Sequence, residues 1–534
     1  MQYEIIVGPR DLKVLPAVSD DLYSKISEAT SYVTEGYQFT TAAMYKGWDG
    51  RVYYFKNNRA PSGLYLTVAG VIAGSGNEVM VRFTQNYVPA GKLFVNDLTL
   101  KDYQEMAVLR SAKYRYCTVF APVRSGKTAI IGALINYVAH YPVCIVTTGR
   151  DLVRQTAIEI ERFTQKPIGF FSESAFAPED ILVTSYQALA AIVGTLSNNR
   201  ASRRRKRSAN IVERNASIFE FLSKVKVLFL DECQFSFGAV LSKIWKRFSS
   251  VGYRIALSGT PIPDSKHNVE ATAINGPVVT HISYRTLVKQ NRLAVPKIIL
   301  YDLPRDWFEG GLDMHKNYEV NIVNNVRRNE MIIKCVEGLH KCGKSCFVMT
   351  YWLEHAKILR RMLNKTFLVQ GKTPIPTRFE MYSAVQEQKL KCVITTVGKI
   401  GLNLPKLDAV INAEGRSSNT LTIQKMRSLT ACDGKKHGLV IDFLDKGPMR
   451  KQALRRLHHY KKVDGAVLET RKVGASNGER GKSAIIRYAK RRPHRDAHRG
   501  SSDQAATAEF EAEGLCGKIG CLGRDEKDRG VETV

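Results

Sequence analysis

No apolar run in this 534-residue chain approaches the ~20 residues of a membrane-spanning helix, so none of it reads as a transmembrane segment. The opening Met1-Gln-Tyr-Glu-Ile-Ile6 lacks a basic stretch followed by an apolar core. No secretory signal is therefore expected, and the expected location is cytoplasmic. The ten cysteines are scattered. Cys342/Cys346 and Cys516/Cys521 are the close pairs, and neither has the spacing and partner pair of a zinc site. Cys117, Cys144 and Cys392 fall in strand-like apolar runs, as reduced thiols of a cytosolic protein do. A repeat of short fixed period is missing, as is a nuclease constellation of paired carboxylates and a lysine. Acid is also scarce: 50 Asp and Glu stand against 80 Lys and Arg, a formal charge of +30. A surface this basic implies a polyanionic partner, most simply nucleic acid.

The length suits about three domains. One stretch organises them, Tyr116-Cys-Thr-Val-Phe-Ala-Pro-Val-Arg-Ser-Gly-Lys-Thr128. Cys117 to Phe120 are strand formers. Lys127 and Thr128 open a run with Ile130, Ile131, Leu134, Ile135 and Val138 on one helical face. A strand, a tight turn and a helix start make a phosphate cradle, with backbone N–H groups facing the anion. The loop Ala121 to Thr128 nearly meets the G-x-x-x-x-G-K-[ST] spacing, with Ala121 in place of the first glycine. Pro122, Val123, Arg124, Ser125, Gly126, Lys127 and Thr128 are the expected ATP-binding residues. Lys127 reaches the β/γ-phosphates and the Thr128 hydroxyl ligates Mg²⁺.

The chain from about 100 to 264 alternates strands and helices, the sign of a parallel sheet with crossovers. Gln104 stands one short helix before the loop, where its amide could read an adenine edge. Val143–Thr148 and Ile181–Gln187 are further strands. Lys226–Leu230 is a buried strand ending in Asp231-Glu-Cys-Gln234. Adjacent acids after an apolar strand are costly unless an ion or a proton transfer uses them. Asp231 suits Mg²⁺ through its water shell, and Glu232 suits activation of an attacking water. Ile255–Pro261 is a strand ending in Ser258 and Thr260. The basic string Arg203–Arg207 reads equally as a solvated insertion or as a phosphate-contacting loop.

Residues 1–98 are expected as a small α/β domain with a helix at 20–32. Its strands are expected at 36–40, 52–55, 64–68 and 79–83. Trp48 and Arg51 lie in a turn, where Trp48 either packs on the domain's own core or stacks on nucleic acid. Residues 99–264 form the ATP-binding lobe. After a linker near 265–285, residues 265–446 form a second α/β lobe without a phosphate loop, a partner that closes over the first. Residues 447–534 are a basic extension, with a helix over 450–462 and the rest, from about 465, mostly disordered.

In chain order these stretches resemble the superfamily-two helicases, over about 100–446. Tyr103-Gln104 resembles the adenine-reading motif and Ala121–Thr128 motif I. Thr147–Gln155, with Thr147 and Arg150, and Val183–Gln187, with Thr184, resemble the motifs that contact the nucleic-acid backbone. Asp231-Glu-Cys-Gln234 resembles the DEAH box, with Gln234 in place of histidine. Ser258-Gly-Thr260 resembles the motif that couples hydrolysis to movement. Phe347–His355 resembles motif IV. Ile394-Thr-Thr396, with Thr395, and Gly401–Pro405 resemble motif V, with Asn403 where aspartate is usual. The last motif departs from the pattern. Gln424–Ala431 puts Arg427 at the glycine position, so the arginine finger falls to Arg427, with Arg416 or Lys435 as alternatives. Gly47–Arg51 and Pro61–Leu64 are similar to the accessory domain of phage branch-migration helicases of the UvsW type.

The resemblance implies two RecA-like parallel-sheet lobes using ATP and Mg²⁺. It implies an ATP-dependent DNA helicase or translocase that remodels forks, junctions and loops. In this scheme Asp231, Glu232, Gln234, Lys127 and Arg427 are catalytic. Thr147, Arg150, Thr184, Thr395, Trp48 and Arg51 meet the nucleic acid. An RNA helicase, or a nucleic-acid-binding protein with a degenerate ATPase, is the alternative. The motor subunit of a restriction enzyme ranks last. Oligomeric state, polarity and preferred substrate are not legible.

Overall fold

The structure is a computed structural model. It describes residues 1–34, 36–122, 124–171, 176–197, 209–260, 268–311, 313–363, 366–387, 389–390, 392–396, 407–416, 437–461, 463, 466–473, 486–487 and 519–521. The chain divides into two compact units, one mainly of residues 1–282 and the other mainly of residues 283–496.

The first unit holds the N-terminal sheet and the first α/β lobe. In the N-terminal sheet, β1 (Gln2–Val7) pairs antiparallel with β2 (Asp11–Leu15) and parallel with β6 (Glu78–Phe83). β2 continues to β5 (Arg59–Pro61), and β23 (Ile519–Cys521) adds to β6. A separate ribbon pairs β3 (Ser31–Val33) with β4 (Arg51–Tyr53). Two expected strands here are helical. Residues 36–40 form a 3-10 turn, Tyr37–Phe39, and then the helix Thr41–Lys46, whose Ala43 N–H donates to Thr40 Oγ1 at 3.2 Å. Residues 64–68 enter the helix Tyr65–Gly74. Its sequence is apolar nearly throughout, so alternation misleads. The buried set Tyr65, Val68, Ala69 and Ile72 has the helical period. The expected helix at 20–32 stops at Ala29, and residues 31–33 turn into β3.

The sheet of the first lobe runs β10 (Phe176–Ala177), β9 (Ile168–Phe171), β11 (Ile181–Ser185), β8 (Val143–Thr147), β12 (Val227–Asp231), β13 (Tyr253–Ser258), β7 (Tyr116–Phe120), β14 (Val278–His281). All but β10 pair in parallel. Central strands β8, β11 and β13 are buried at every residue, as a sheet covered on both faces requires. The helix Lys127–Val138 buries its expected face and nearly all of its remaining surface. Phe163 of the helix Gly149–Thr164 packs so closely that a Cβ on Gly132 would lie 2.9 Å from it.

The N-terminal region does not stand apart, because its core runs on into that of the lobe. Arg254, buried on β13, donates to Ser62 Oγ at 3.0 Å and to the Pro9 carbonyl at 3.3 Å. The Tyr65 hydroxyl donates to the Tyr114 carbonyl at 2.8 Å. A Cβ on Gly63 would fall 2.1 Å from the Thr272 carbonyl oxygen. The expected linker at 265–285 is likewise structured where described. It holds the helix Asn268–Asn275 and β14, which pairs with β7 at the sheet edge.

The sheet of the second lobe runs β17 (Phe367–Val369), β18 (Cys392–Thr395), β16 (Cys346–Met349), β19 (Ala409–Asn412), β20 (His437–Leu444), β15 (Val295–Asp302), β21 (Val467–Lys472), β22 (Ile486–Arg487). β17 to β21 pair in parallel. The lobe therefore does not end at residue 446. β21 continues the sheet beside β15, although it lies in the stretch expected to be disordered. The expected basic helix, Arg450–Lys461, turns one arginine fully inward. Arg456 is 1% exposed and pairs with Asp442 at 3.0 Å and with Asp445 at 3.0 Å. Arg328 pairs with Asp445 at 2.8 Å, and the Tyr460 hydroxyl donates to Asp442 at 2.6 Å. Like charges on Asp442 and Asp445 coexist at the end of β20 because two guanidiniums lie between and around them. Beyond 473 only 486–487 and 519–521 are described, so the rest of the expected tail lies outside the described residues.

Removing one member of a buried ion pair costs roughly 3–5 kcal/mol, since the remaining charge stays desolvated. Ending the chain after Lys446 should therefore unfold the second lobe, whereas ending it after Val473 should not. Arg456→Met should lower the lobe's stability by about 3 kcal/mol in urea unfolding.

Candidate active site

Strands β8, β12, β13 and β7 are neighbours, and the chain leaves all four at the same edge of the sheet. That carboxyl edge is where parallel α/β sheets bind ligands. β7 delivers the loop that leads to Lys127, β12 delivers Asp231 and Glu232, β13 delivers Ser258, and β8 delivers Thr147. Residues far apart in sequence meet there because the strand order is not the chain order.

A chain of polar contacts crosses this edge. Lys127 Nζ lies 2.7 Å from Glu232 Oε1, with both side chains largely buried. Gln234 Nε2 donates to Glu232 Oε2 at 2.8 Å. The Ser258 hydroxyl donates to Gln234 Oε1 at 2.5 Å, and the Thr260 N–H donates to Ser258 Oγ at 2.8 Å. The helix start at the phosphate loop is thereby tied to the end of β13 through four side chains. Backbone geometry supports the arrangement. Glu232 sits in the left-handed region at φ 50°, which turns the chain sharply after β12 and aims Glu232 and Gln234 at each other. The Ala121 N–H donates to the Ser258 carbonyl at 2.8 Å, holding the loop entrance against β13.

Asp231 is the group with unmet needs. Thr147 Oγ1 donates to its Oδ2 at 3.1 Å, while Oδ1 is sealed from solvent and has no hydrogen-bond partner among the described residues. Burial pushes its carboxyl up to about 6, against the opposing pull of Lys127 and with a further push from Glu232. A buried carboxylate oxygen without a donor suits a cation or its water shell. With Thr128 at the helix start and Lys127 as fixed positive charge, the residues present fit a magnesium–triphosphate group.

Gln104 is buried beside the loop. Its Oε1 accepts from the Lys101 N–H at 2.9 Å, and a Cβ on Gly126 would fall 2.2 Å from its Nε2. Gly126 is thus required twice, by this approach and by its φ of 79°. Ser125 Oγ donates to the Pro122 carbonyl at 2.7 Å, closing the loop on itself, and Arg124 takes φ 68°. Val123 lies outside the described residues.

The residues expected to touch nucleic acid are placed differently. Thr147 and Thr184 are fully buried. Thr147 holds Asp231, and Thr184 Oγ1 donates to the Phe171 carbonyl at 3.1 Å. Thr395 is buried at the end of β18. These hydroxyls face the sheet interior because side chains alternate along a strand and a sheet covered on both faces has no solvent side. The backbone of Arg150 lies in the first turn of the helix Gly149–Thr164, and its side chain is outside the described residues. Trp48 packs within its own region. Its Nε1 donates to the Arg51 carbonyl at 3.0 Å, and its ring meets Tyr37 edge-on. Arg51 donates to Ser31 Oγ at 3.2 Å. Arg427, Lys435, the basic string 203–207 and Gly401–Pro405 lie outside the described residues. Arg416 is exposed and stacks 4.2 Å from the Tyr351 ring centroid.

Two supporting residues carry no sequence signal. Ser236 Oγ donates to Asn275 Oδ1 at 2.9 Å, which anchors the turn after Gln234 to the helix Asn268–Asn275. The Tyr186 hydroxyl donates to the Asp231 carbonyl at 3.0 Å. Both are long-range contacts of common residue types, visible only once the chain is folded.

Parts of the chain are similar to known proteins. Residues 97–263 match the family model described as type III restriction enzyme, res subunit. A provisionally named helicase 22 of Sulfolobus islandicus filamentous virus is 24% identical over 216 residues, 36% of this chain and 37% of that protein's length. The crystal structure of bacteriophage T4 UvsW aligns with 88% of this chain and 100% of that one, at 16% identity and a TM-score of 0.41. The type ISP restriction-modification enzyme LlaBIII, solved bound to DNA, aligns with 72% of this chain and 32% of that one. The identity there is 14% and the TM-score 0.52, a likeness of fold.

Replacing Asp231 by Asn should stabilise the nucleotide-free protein while abolishing turnover. The folded value of about 6 stands above the ordinary 3.8, so the ionised carboxylate weakens the fold. The gain should be about 3 kcal/mol at pH 7, shrink as pH falls through 6, and vanish below about 4, where both states are protonated. Thermal melts across that range check the sign. Gly126→Ala should displace Gln104 and lower nucleotide affinity at least about tenfold, one lost contact of ~1.4 kcal/mol.

Proposed function

We propose that this chain, whose residues 97–263 match the type III restriction enzyme res subunit family model, is a superfamily-two, ATP-dependent DNA helicase or translocase of the UvsW type. It remodels branched DNA, namely forks, junctions and loops, in phage replication, recombination or repair. The observation that carries the motor reading is the Lys127–Glu232–Gln234–Ser258 chain, which joins the phosphate loop to the far strand end.

Each side chain has a role in this reading. The loop Pro122–Thr128 and Lys127 hold the phosphates of ATP. Thr128 and Asp231 hold Mg²⁺, which when bound neutralises charge developing on the phosphate oxygens. Lys127 now occupies one oxygen of Glu232. Phosphate oxygens compete for that ammonium, so binding releases Glu232 Oε1 to accept a proton from the attacking water. Gln234 keeps Oε2 oriented meanwhile. Because Gln234 also accepts from Ser258, any shift of Glu232 passes to Ser258 and the Thr260 N–H, which is the coupling step. Gln104 reads the adenine. Arg427 is proposed as the finger.

The charge of +30 favours a polyanion. DNA is favoured over RNA by the N-terminal resemblance in Gly47–Arg51 and Pro61–Leu64. In the 3-10 turn and helix that precede Trp48 and Arg51, Phe39 and Tyr45 are 77% and 82% exposed and present faces on which bases can stack. Thr147, Thr184 and Thr395, being buried, act through the strand ends they hold, whereas Arg150 contacts the phosphate backbone.

The test is ATP turnover and strand displacement on forked, four-way and looped DNA and on an RNA duplex. Forked DNA should stimulate hydrolysis most, and Lys127→Ala should abolish it. Wild-type protein without any nucleic-acid-stimulated turnover would leave only a binding protein, and stimulation by RNA alone would transfer the reading to RNA. Affinity should fall log-linearly with salt, with a slope of about −0.9 per phosphate neutralised on duplex DNA.

A further inference from the structure

Four of the seven described free cysteines, Cys335, Cys342, Cys346 and Cys392, gather on one unit, although sequence spacing pairs only two of them. Cys346 and Cys392 are the first residues of β16 and β18. These parallel strands are neighbours, and the two cysteines are register partners, so their side chains leave the same face of the sheet. Both are fully buried. His340 stands in the last turn of the helix Val326–Lys341, and the short turn after that helix leads directly into β16. This connection lays the helix end over the starts of both strands. The ligand atoms of His340, Cys346 and Cys392 all lie within 4.8 Å of one another.

We propose that His340, Cys346 and Cys392 form a structural site for a thiophilic divalent d¹⁰ cation, zinc being the natural occupant. One imidazole nitrogen and two sulfurs match zinc's preference for nitrogen and thiolate donors. Tetrahedral zinc with Zn–S of about 2.3 Å sets sulfurs roughly 3.8 Å apart. With all three ligand atoms already within 4.8 Å of one another, side-chain rotation of at most about 1 Å brings the sulfurs to that value. Exposed Cys342, in the turn between the helix and β16, or a water supplies the fourth ligand.

The electrostatics favour this occupant. Binding breaks two S–H bonds, forms two Zn–S bonds and one Zn–N bond, and releases two protons. Two thiolates and one dication sum to zero, so the buried site carries no net charge. The position also says what the site does. It lies at the amino ends of the strands, opposite the carboxyl edge that parallel sheets use for ligands. The ion staples the helix Val326–Lys341 to β16 and β18 and takes no part in hydrolysis.

The experiment uses the full chain, purified under reducing conditions, stripped with a chelator, then loaded with Zn²⁺ or Co²⁺ and desalted. One equivalent of metal should stay bound, the Co²⁺ form should show a sulfur-to-cobalt charge-transfer band, and loading should raise the melting temperature. Cys392→Ser should lose the band and the retained metal. His340→Ala, on a partly exposed residue, guards against a variant that fails to fold and should weaken metal retention with circular dichroism unchanged. Retention of no metal by wild type, equal retention by both variants, or a Cys346–Cys392 disulfide in place of metal would each overturn the site. The outcome is independent of ATP turnover.

Discussion

The contact on which the first unit depends is the ion pair of Lys127 and Glu232. One partner opens a helix and the other ends a strand more than a hundred residues later, and the parallel sheet brings them to 2.7 Å. Everything nearby is arranged around the cost of keeping charge at a dry sheet edge. Gln234 neutralises the second oxygen of Glu232 by hydrogen bonding, Ser258 satisfies Gln234, and the Thr260 N–H satisfies Ser258. Asp231 is left with one oxygen unmet among the described residues. Such networks are sensitive devices. Fully satisfied they hold one geometry, and loss of one member exposes the next to desolvation.

The second unit handles buried charge by another route. Its aspartates 442 and 445 are closed off by Arg328 and Arg456, with Tyr460 and Asn412 completing the hydrogen bonds. This network is structural, because it locks the helix Arg450–Lys461 and the end of β20 together. It also explains why the composition shift near residue 446 misplaced the end of the lobe. A helix with mostly basic, exposed residues looks like a solvated tail, yet a single inward arginine makes it part of the core. The N-terminal region shows the converse. Its composition suggests an independent domain, but Arg254, Tyr65 and the close approach at Gly63 join it to the first α/β lobe. Anything held on the N-terminal sheet must therefore move with that lobe.

Local chemistry made the candidate site legible. A strand, a glycine and a Lys-Thr pair at a helix start can be read in order because they are consecutive, and so can two acids after an apolar strand. The alternation of strands and helices predicted both parallel sheets. The failures have a common cause. Tyr65–Gly74 and Tyr37–Lys46 are too short or too uniformly apolar for periodicity to decide. Motif position says nothing about which face of a strand a hydroxyl takes, and Thr147 and Thr184 are buried. Likewise, Cys346 and Cys392 lie 46 residues apart, so no spacing rule joins them, while sheet register places them side by side.

The sequence alone determined that a loop of phosphate-cradle pattern, an acidic strand end and a strongly basic composition belong to one α/β protein, since each is read without the fold. Only the tertiary structure decided how Glu232 is restrained, that Thr147 supports Asp231, where the second lobe ends and which cysteines meet. Those depend on strand order and register. Both are set by packing over the whole sheet and are not encoded in any single stretch.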